Sequence, residues 1–298
     1  MDHADARVHL RTLALQAGAQ MLEALDGGHN REVEHKGRVD LVTRVDREVQ
    51  EWLVTEIARR FPGEPVVGEE GRQDSRTGGH EPVWYVDPID GTTNYVHGHP
   101  FYCVSIARSD ADGGAGVVYA PALDELFAAA TGAGATLERP LRGLPPVVLR
   151  ASNCDRLEEA LLATGFPYER GATARLNLAI TAQALARCRG VRRAGSAALD
   201  LCYVAAGRLD GYWEFALKPW DLAAGALILR EAGGIVTDFE GDDDVLWSRR
   251  LAVAAPALHA DLLAMIERAH TAPELDVLAP PLSAPVPRRG PLPSEDTA

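Results

Sequence analysis

Eleven consecutive residues carry more potential chemistry than any other stretch of the chain: Trp84-Tyr85-Val86-Asp87-Pro88-Ile89-Asp90-Gly91-Thr92-Thr93-Asn94. An apolar, β-rich run leads into two carboxylates, Asp87 and Asp90, spaced i, i+3 around Pro88. Proline stiffens the chain and predicts a turn at this point, and a turn lets both carboxylates point at one place. Gly91-Thr92-Thr93 follows, offering backbone N–H groups and two hydroxyls at an expected helix start, which suits an oxyanion. Carboxylates for a hard cation beside N–H groups for an oxyanion are what metal-assisted phosphoryl transfer needs. A bare Asp-x-x-Asp is more often an Asx-type turn with a capping threonine; the full string is far more specific.

Two other acidic ends join it. Val66-Val67-Gly68-Glu69-Glu70-Gly71 puts adjacent acids at the end of a short strand, and Pro219-Trp220-Asp221 puts a carboxylate at the start of a helix. Singly, the first reads as a solvated turn and the second as a charge satisfying a helix dipole, worth ~0.3–1 kcal/mol. Together they read differently. At ~4 Å and an effective dielectric of ~20, each like-charged pair costs about 4 kcal/mol. Several such acids converge only where cations neutralise them. With oxygen ligands and no His or Cys in the set, Mg²⁺ is the natural candidate.

The elements that must position these residues can be read from periodicity and breakers. Residues 4–25 pattern as a helix, and 44–60 as a second one with Thr43 as N-cap and Phe61-Pro62-Gly63 ending it. Short β-rich runs follow at 65–67, 83–86, 102–107 and 116–119, with 126–129 pairing to the last as a hairpin. Past Pro145-Pro146 the pattern alternates: strand at 147–150, helices at 157–163 and 176–186, strand at 191–193, helix at 197–206, strand at 211–215. Helix 222–231, strand 235–239 and helix 259–268 complete the pattern. Helices, then antiparallel-looking strands, then an alternating half predict stacked layers of helix and sheet, with an internal boundary near 140–150.

Composition narrows the classes further. A chain of 298 residues with 46% hydrophobic and 24% charged residues is an ordinary globular protein. At this size about three quarters of the unfolded surface can be buried, so no disulfide framework is needed. Cys103, Cys154, Cys188 and Cys202 show no CxxC spacing and read as reduced thiols. Net charge is −13, and only Lys36 and Lys218 among the 30 basic residues are lysines. Such a surface repels phosphate backbones and anionic membranes, so neither nucleic-acid binding nor membrane binding is expected. The first residues are acidic where a signal peptide is basic, and the least polar long run, 222–236, contains Arg230, Glu231 and three glycines. The expectation is a soluble, cytoplasmic protein. Residues 272–298 hold seven of the nineteen prolines and few large hydrophobes, which suits an extended, disordered tail.

The sequence resembles the inositol monophosphatase family, within the larger group of Mg²⁺-dependent, lithium-sensitive phosphatases, and in particular its bacterial inositol-1-monophosphatases. Residues 84–94 and Trp220-Asp221 running into Glu231-Ala232-Gly233-Gly234 carry most of the resemblance. Support comes from Lys36 with Asp40-Leu41-Val42-Thr43-Arg44-Val45-Asp46, from Gly68-Glu69-Glu70, and from Thr164-Gly165-Phe166-Pro167. Gly195-Ser196-Ala197-Ala198-Leu199-Asp200 and Gly207-Arg208-Leu209-Asp210 add to it, so that the match spans roughly residues 5–268 in order. The departures are small: Ala135-Thr136-Leu137-Glu138-Arg139 replaces a usual Asn-Gly turn, residues 252–257 lack an asparagine before the proline, and the proline-rich tail is extra.

What the resemblance implies is specific. The fold would be a layered α/β/α/β/α sandwich, one catalytic unit over 5–268 with subdomains at about 5–145 and 146–268. Glu69, Asp87 and the carbonyl of Ile89 would hold one Mg²⁺, and Asp87, Asp90 and Asp221 a second, with a third, weaker ion near Glu69. Thr92, paired with Asp46, and Glu70 would orient a metal-activated water for direct attack on phosphorus. Gly91 and Thr92 would bind phosphate, Gly195, Ser196, Ala197 and Glu214 would line the alcohol side, and Lys36 would help neutralise the pocket. The implied activity is hydrolysis of a small phosphate ester, inositol 1-phosphate first, by a homodimer. Related phosphatases act on fructose 1,6-bisphosphate, 3′-phosphoadenosine 5′-phosphate, histidinol phosphate or NADP with the same metal core. Thr92-Thr93-Asn94 favours the inositol branch over the nucleotidases, for which Thr-Lys is expected. A different class also remains, a regulatory partner protein that keeps the metal site for structure; the complete set of Thr92, Asp46 and Glu70 weighs against it.

Overall fold

The computed structural model of the chain describes residues 2–31, 33–35, 41–70, 81–167 and 171–271. Lys36 and the tail from 272 onward therefore lie outside the described residues. Helix α1 (His3–Asp26) is followed by the small antiparallel pair β1 (Val33–His35) and β2 (Leu41–Thr43), and by α2 (Arg44–Arg60). Thr43 caps α2 through a reciprocal capping box with Asp46, as the sequence predicts. Then come β3 (Val66–Gly68), β4 (Val83–Asp90), α3 (Thr92–His97), β5 (Cys103–Asp110), β6 (Gly113–Ala120), β7 (Glu125–Ala130), β8 (Ala135–Arg139) and β9 (Leu144–Val148). The second half holds β10 (Leu161–Thr164), α4 (Ala172–Leu185), β11 (Gly190–Arg192), α5 (Ala197–Ala205) and β12 (Gly211–Phe215). It closes with α6 (Pro219–Glu231), β13 (Ile235–Thr237), β14 (Arg250–Ala254) and α7 (His259–Thr271).

Among the described residues β3 to β9 form one seven-stranded sheet in sequence order, parallel only between β3 and β4. A five-stranded sheet has the order β11-β10-β12-β14-β13, with parallel pairs on both sides of β10. Three apolar cores stack these sheets into the expected α/β/α/β/α sandwich. Leu10, Leu13 and Met21 of α1 and Val49, Leu53 and Ile57 of α2 pack on Trp84, Val104 and Val117. Leu199 and Leu201 of α5 and Leu222 and Ile228 of α6 fill the space between the sheets, against Phe127 and Val118 on one side and Tyr212 and Val253 on the other. Ile180 of α4 and Leu262 and Met265 of α7 cover Leu162 and Trp213 from outside. Alternation along β12 thus sends Trp213 and Phe215 outward and Tyr212 inward, and Glu214 follows Tyr212 to the inner side. Among the described residues no helix is long and apolar enough to cross a membrane.

Several local expectations change. The run expected as a helix at 157–163 is one 3-10 turn, Leu157–Glu159, followed by strand β10. The Asp210 carboxylate takes the Leu161 N–H at 2.7 Å and seats the run between two parallel neighbours. A short apolar run of this length has no period that separates strand from buried helix. The strand expected at 147–150 is β9, shifted to Leu144–Val148, and it closes the first sheet instead of opening the second half.

Candidate active site

Pro88 does not turn the chain. Strand β4 continues to Asp90, and its pairing with β5 shifts register between Asp87 and Asp90. In a regular strand, residues three apart face opposite sides, so the irregularity is what lets both aspartates serve one cavity while Ile89 enters the α1/α2 core. The turn comes one residue after Asp90. Gly91 has φ 95°, and a Cβ there would sit 3.0 Å from the Phe101 carbonyl, so glycine is required on two counts before α3 begins.

The cavity measures about 430 Å³ and lies where the C-terminal end of β4, the start of α3 and the segments before α5 and α6 meet. Of the residues picked out by sequence, Glu69, Asp87, Ile89, Asp90, Gly91, Thr92, Gly195, Ala197, Glu214 and Asp221 line it. Three others stand behind the wall. Asp46, fully buried, accepts from the Thr43 N–H at 2.8 Å and lies 3.1 Å from Thr92 Oγ1, which is also 3.0 Å from the Ile89 carbonyl. Ser196, also buried, caps α5 and donates to Asp90 at 2.7 Å, so it holds a carboxylate and does not face the cavity. Glu70 follows Glu69 at the end of β3, outside the lining, with its N–H bonded to Gln50 at 2.8 Å.

The acids are held by donors, one oxygen each. Asp87 accepts from the Ile89 N–H at 3.0 Å, Asp90 from Ser196 and from the Ala198 N–H at 2.7 Å, and Asp221 from the Lys218 N–H at 2.7 Å. These bonds do not offset the burial. Desolvation first, then the charges of Glu69, Asp90, Asp221 and Asp46, push the Asp87 carboxyl well up. Asp221 is raised well above the carboxylate range by burial, then by Asp90 and Glu69. Asp90 is raised by burial despite its hydrogen bonds, and Asp46 likewise, with Glu70 adding repulsion. Among the described residues no three His, Cys, Asp or Glu side chains are gathered closely enough to hold a metal ion by themselves. What the fold supplies is an open wall of hard oxygen donors, and this donor set fits a divalent cation of the Mg²⁺ type.

Glu214 is a further acid on the cavity lining. Burial raises its pKa to about 7, partly offset by the Tyr212 hydroxyl that donates to it. Gly165 makes the room: a Cβ there would overlap the Glu214 carboxyl group.

Sequence reasoning assigned no role to Arg193, Lys218 and Arg249, cationic residues on the cavity lining. Lys218 had a signal, as one of two lysines in the chain and the neighbour of Pro219-Trp220-Asp221. Arg249 had none, since its place follows from a left-handed backbone (φ 62°) whose carbonyl accepts the N–H of equally left-handed Ala216 (φ 66°) at 2.7 Å. Two such non-glycine residues cost of order 1–3 kcal/mol each and stand on the cavity lining. Parts of the recognised motifs serve structure only. Asn94 ties α3 to the Phe101 and Ala194 carbonyls at 2.7 and 2.9 Å, and Glu231 accepts from Gly132 and Gly134 at the turn before β8.

Comparison with known proteins gives one consistent picture. Residues 3–271 match the model of the inositol monophosphatase family. The chain is 40% identical over 244 residues to the Nus factor SuhB of Vibrio cholerae, covering 82% of this chain and 88% of that one. It is also 40% identical over 250 residues to the inositol-1-monophosphatase of Synechocystis, covering 83% and 84%. Among solved structures, the extragenic suppressor protein suhB of Bartonella henselae superposes with a TM-score of 0.77 at 35% identity, over 87% of this chain and 97% of that one.

Proposed function

The chain belongs to the inositol monophosphatase family, and from that premise we propose that it hydrolyses inositol 1-phosphate to inositol and phosphate, using Mg²⁺ at the acidic wall. As a member of the family it is a phosphatase, a hydrolase of phosphate monoesters. One observation carries the finer reading: Asp87, Asp90 and Asp221, buried and raised in pKa, share a cavity with the Gly91–Thr92 backbone.

Glu69, Asp87, Asp90, Asp221 and the Ile89 carbonyl would hold the cations. Bound there, Mg²⁺ would lower the pKa of water and offset charge on the leaving oxygen. Everything else falls to the chain's own groups. N–H groups at Gly91 and Thr92 precede the first intrahelical hydrogen bond and are disposed to receive a phosphate oxygen. Thr92 Oγ1, donating its proton to Asp46, keeps its lone pairs for a proton of the attacking water. Asp46 is suited to receive the proton that Thr92 passes on, because burial raises its pKa. Glu70 would accept a hydrogen bond from the water's other O–H, which stays on the oxygen, and so orient it. Glu214, poised near neutrality, can accept from or donate to a ring hydroxyl of the departing polyol.

The family resemblance further supports a cytoplasmic homodimer inhibited by millimolar-range Li⁺. A panel of phosphate esters, each assayed with and without EDTA, tests the reading: inositol 1-phosphate should give the highest kcat/KM, and only with Mg²⁺ present. A better substrate among histidinol phosphate, fructose 1,6-bisphosphate or 3′-phosphoadenosine 5′-phosphate would replace it.

The name of the Vibrio cholerae relative, a Nus factor, supports a second reading in which the chain also serves as a protein partner. The exposed Leu141, Leu144, Val147 and Val148 at the edge of the first sheet would be available to it. An inactive Asp90→Asn protein that still performs the partner role would separate the two.

A further inference from the structure

Helix α2 touches the candidate site at two places. Asp46 and Gln50 are spaced i, i+4, so they occupy one helical face a single turn apart. Asp46 reaches Thr92 at the start of α3. Gln50, 6% exposed, reaches the other side of the wall: its Oε1 accepts the Glu70 N–H at 2.8 Å, and its Nε2 donates to the Glu70 carbonyl. One carboxamide thus clasps both polar groups of one peptide residue, as a neighbouring strand would.

The backbone before it is shaped to admit this clasp. Gly68 has ordinary backbone angles, yet a Cβ there would lie 2.7–3.0 Å from the oxygen, carbon and nitrogen of the Gln50 amide. The amide lies against the bare Cα of Gly68. Among the described residues β3 is the outermost strand of its sheet, paired with β4 through Gly68 and followed by one further bond from the Glu69 N–H to the Val86 carbonyl at 3.3 Å. The carboxylate of Glu69 is therefore carried on a three-residue edge strand, and α2 braces that strand from the side.

We propose that Gln50 is a positioning residue that fixes the Glu69–Glu70 backbone, so that one rigid helix sets the spacing between these carboxylates and the Thr92–Asp46 pair. This deepens the metal-phosphatase reading and rests on it. Gln50 touches neither phosphate nor cation; it acts through the main chain that carries Glu69. Groups that orient ligands in this way typically matter by about 10–100-fold in metal affinity or activity. An error of about 1 Å in such a site can cost a similar factor.

Three variants of the full chain test it. Gln50→Leu removes both hydrogen bonds, Gln50→Glu keeps an acceptor for the Glu70 N–H, and Gly68→Ala pushes the amide away without altering it. Mg²⁺ binding is read by calorimetry, kcat and KM with p-nitrophenyl phosphate, and backbone exchange at residues 69–70 by hydrogen–deuterium exchange. The expected result for Gln50→Leu and Gly68→Ala is Mg²⁺ affinity and kcat both about 10–100-fold lower, with KM within about threefold of wild type and faster exchange at Glu70. Gln50→Glu, which turns a carboxylate oxygen on the Glu70 carbonyl, should lose as much as Gln50→Leu, and wild-type values in it would overturn the need for the Nε2 donor. Wild-type Mg²⁺ affinity in Gln50→Leu would overturn the proposal and leave the metal-phosphatase reading standing. Exchange at Glu70 unchanged in both Gln50→Leu and Gly68→Ala would overturn it as well. A wild-type protein that binds no Mg²⁺ would instead overturn the phosphatase reading and with it the role proposed for Gln50, whatever the exchange data show.

Discussion

Where β4 begins, an acid meets a guanidinium; where it ends, acids meet each other. Near its start, Glu64 accepts from Arg108 at 2.9 Å through both oxygens and from the Trp84 indole at 2.7 Å. Arg108 is 5% exposed and stands opposite Trp84 in the β4–β5 register. Those hydrogen bonds, Arg108 foremost, hold the Glu64 carboxyl below its usual range. About 10 and 20 Å along the same strand from Trp84, at the ~3.3 Å rise of each residue, Asp87 and Asp90 are pushed the other way by burial. The fold bonds a guanidinium to the acid that serves architecture, whereas the donors to Asp87, Asp90 and Asp221 are neutral N–H and O–H groups, with Arg193, Lys218 and Arg249 elsewhere on the same lining. Buried acids held by neutral donors, with raised pKa values, suit a place where further positive charge arrives with a ligand.

The largest effect that would break this contrast is expected at the cavity end. Asp90→Asn keeps shape but removes a charge from the wall, so turnover of a phosphate monoester should fall at least about 100-fold. The melting temperature of the metal-free protein should stay level or rise, because repulsion is relieved. A loss of stability with turnover intact would invert the contrast.

At the other end the expected losses are reversed. Arg108→Met strands Glu64 and Asp110, which it bonds at 3.3 Å, and should cost about 3 kcal/mol in urea unfolding with kcat within about twofold. The sign with pH follows from the lowered Glu64 value. Stability from the pair is fully present above the unfolded-state value of 4.5 and is lost as pH falls through the lower folded value. The gap between wild type and Arg108→Met should therefore narrow in acid. A gap independent of pH would mean that Arg108 acts through packing alone.

Glu214 lies between the two conditions and sharpens the comparison. The role proposed for it, a hydrogen bond to a ring hydroxyl, predicts that Glu214→Gln weakens inositol 1-phosphate hydrolysis about tenfold to a hundredfold in kcat/KM, with p-nitrophenyl phosphate nearly unaffected. Equal losses on both would assign it to the electrostatics of the acidic wall. Stability gives a smaller, independent check. With a folded value of about 7 against 4.5 unfolded, the folded protein keeps the proton longer, so wild-type stability declines as pH rises from 4.5 to about 7 and then levels. Glu214→Gln, neutral throughout, should gain on wild type across that window, by at most about 3 kcal/mol. A constant difference in melting temperature between pH 5 and 8 would contradict the raised value.

The comparison also explains what could be read from sequence. Acids at strand and helix ends were legible because chemistry fixes their type: Asp87, Asp90, Asp221 and Glu69 stand together at one cavity. Stacked layers of helix and sheet were legible from helix periodicity at α1 and α2 and from the β-rich runs at β5 to β7, and the full sandwich from the family resemblance. Hidden were features that only pairing decides. Leu161–Thr164 became a strand through two parallel neighbours and Asp210, not through any local preference. The break in β4 register was masked by Pro88, whose ordinary meaning is a turn. Ala135–Arg139 and Arg250–Ala254 are strands without a strong period, completed by their neighbours. Arg249 reached the cavity by a left-handed backbone angle that its residue type does not announce.

The central claim is that the acids at the end of β4 await a divalent cation, and a single titration addresses it directly. Protein stripped with EDTA would be melted at pH 7.5 over increasing Mg²⁺, with Asp90→Asn in parallel. A ligand at about 100 times its dissociation constant adds about 2.7 kcal/mol to stability. For a chain of this size the wild-type melting temperature should climb by about 5 °C or more and saturate. Asp90→Asn should respond weakly over the same range. Identical curves for the two proteins, or a wild-type curve that stays flat, would contradict the account.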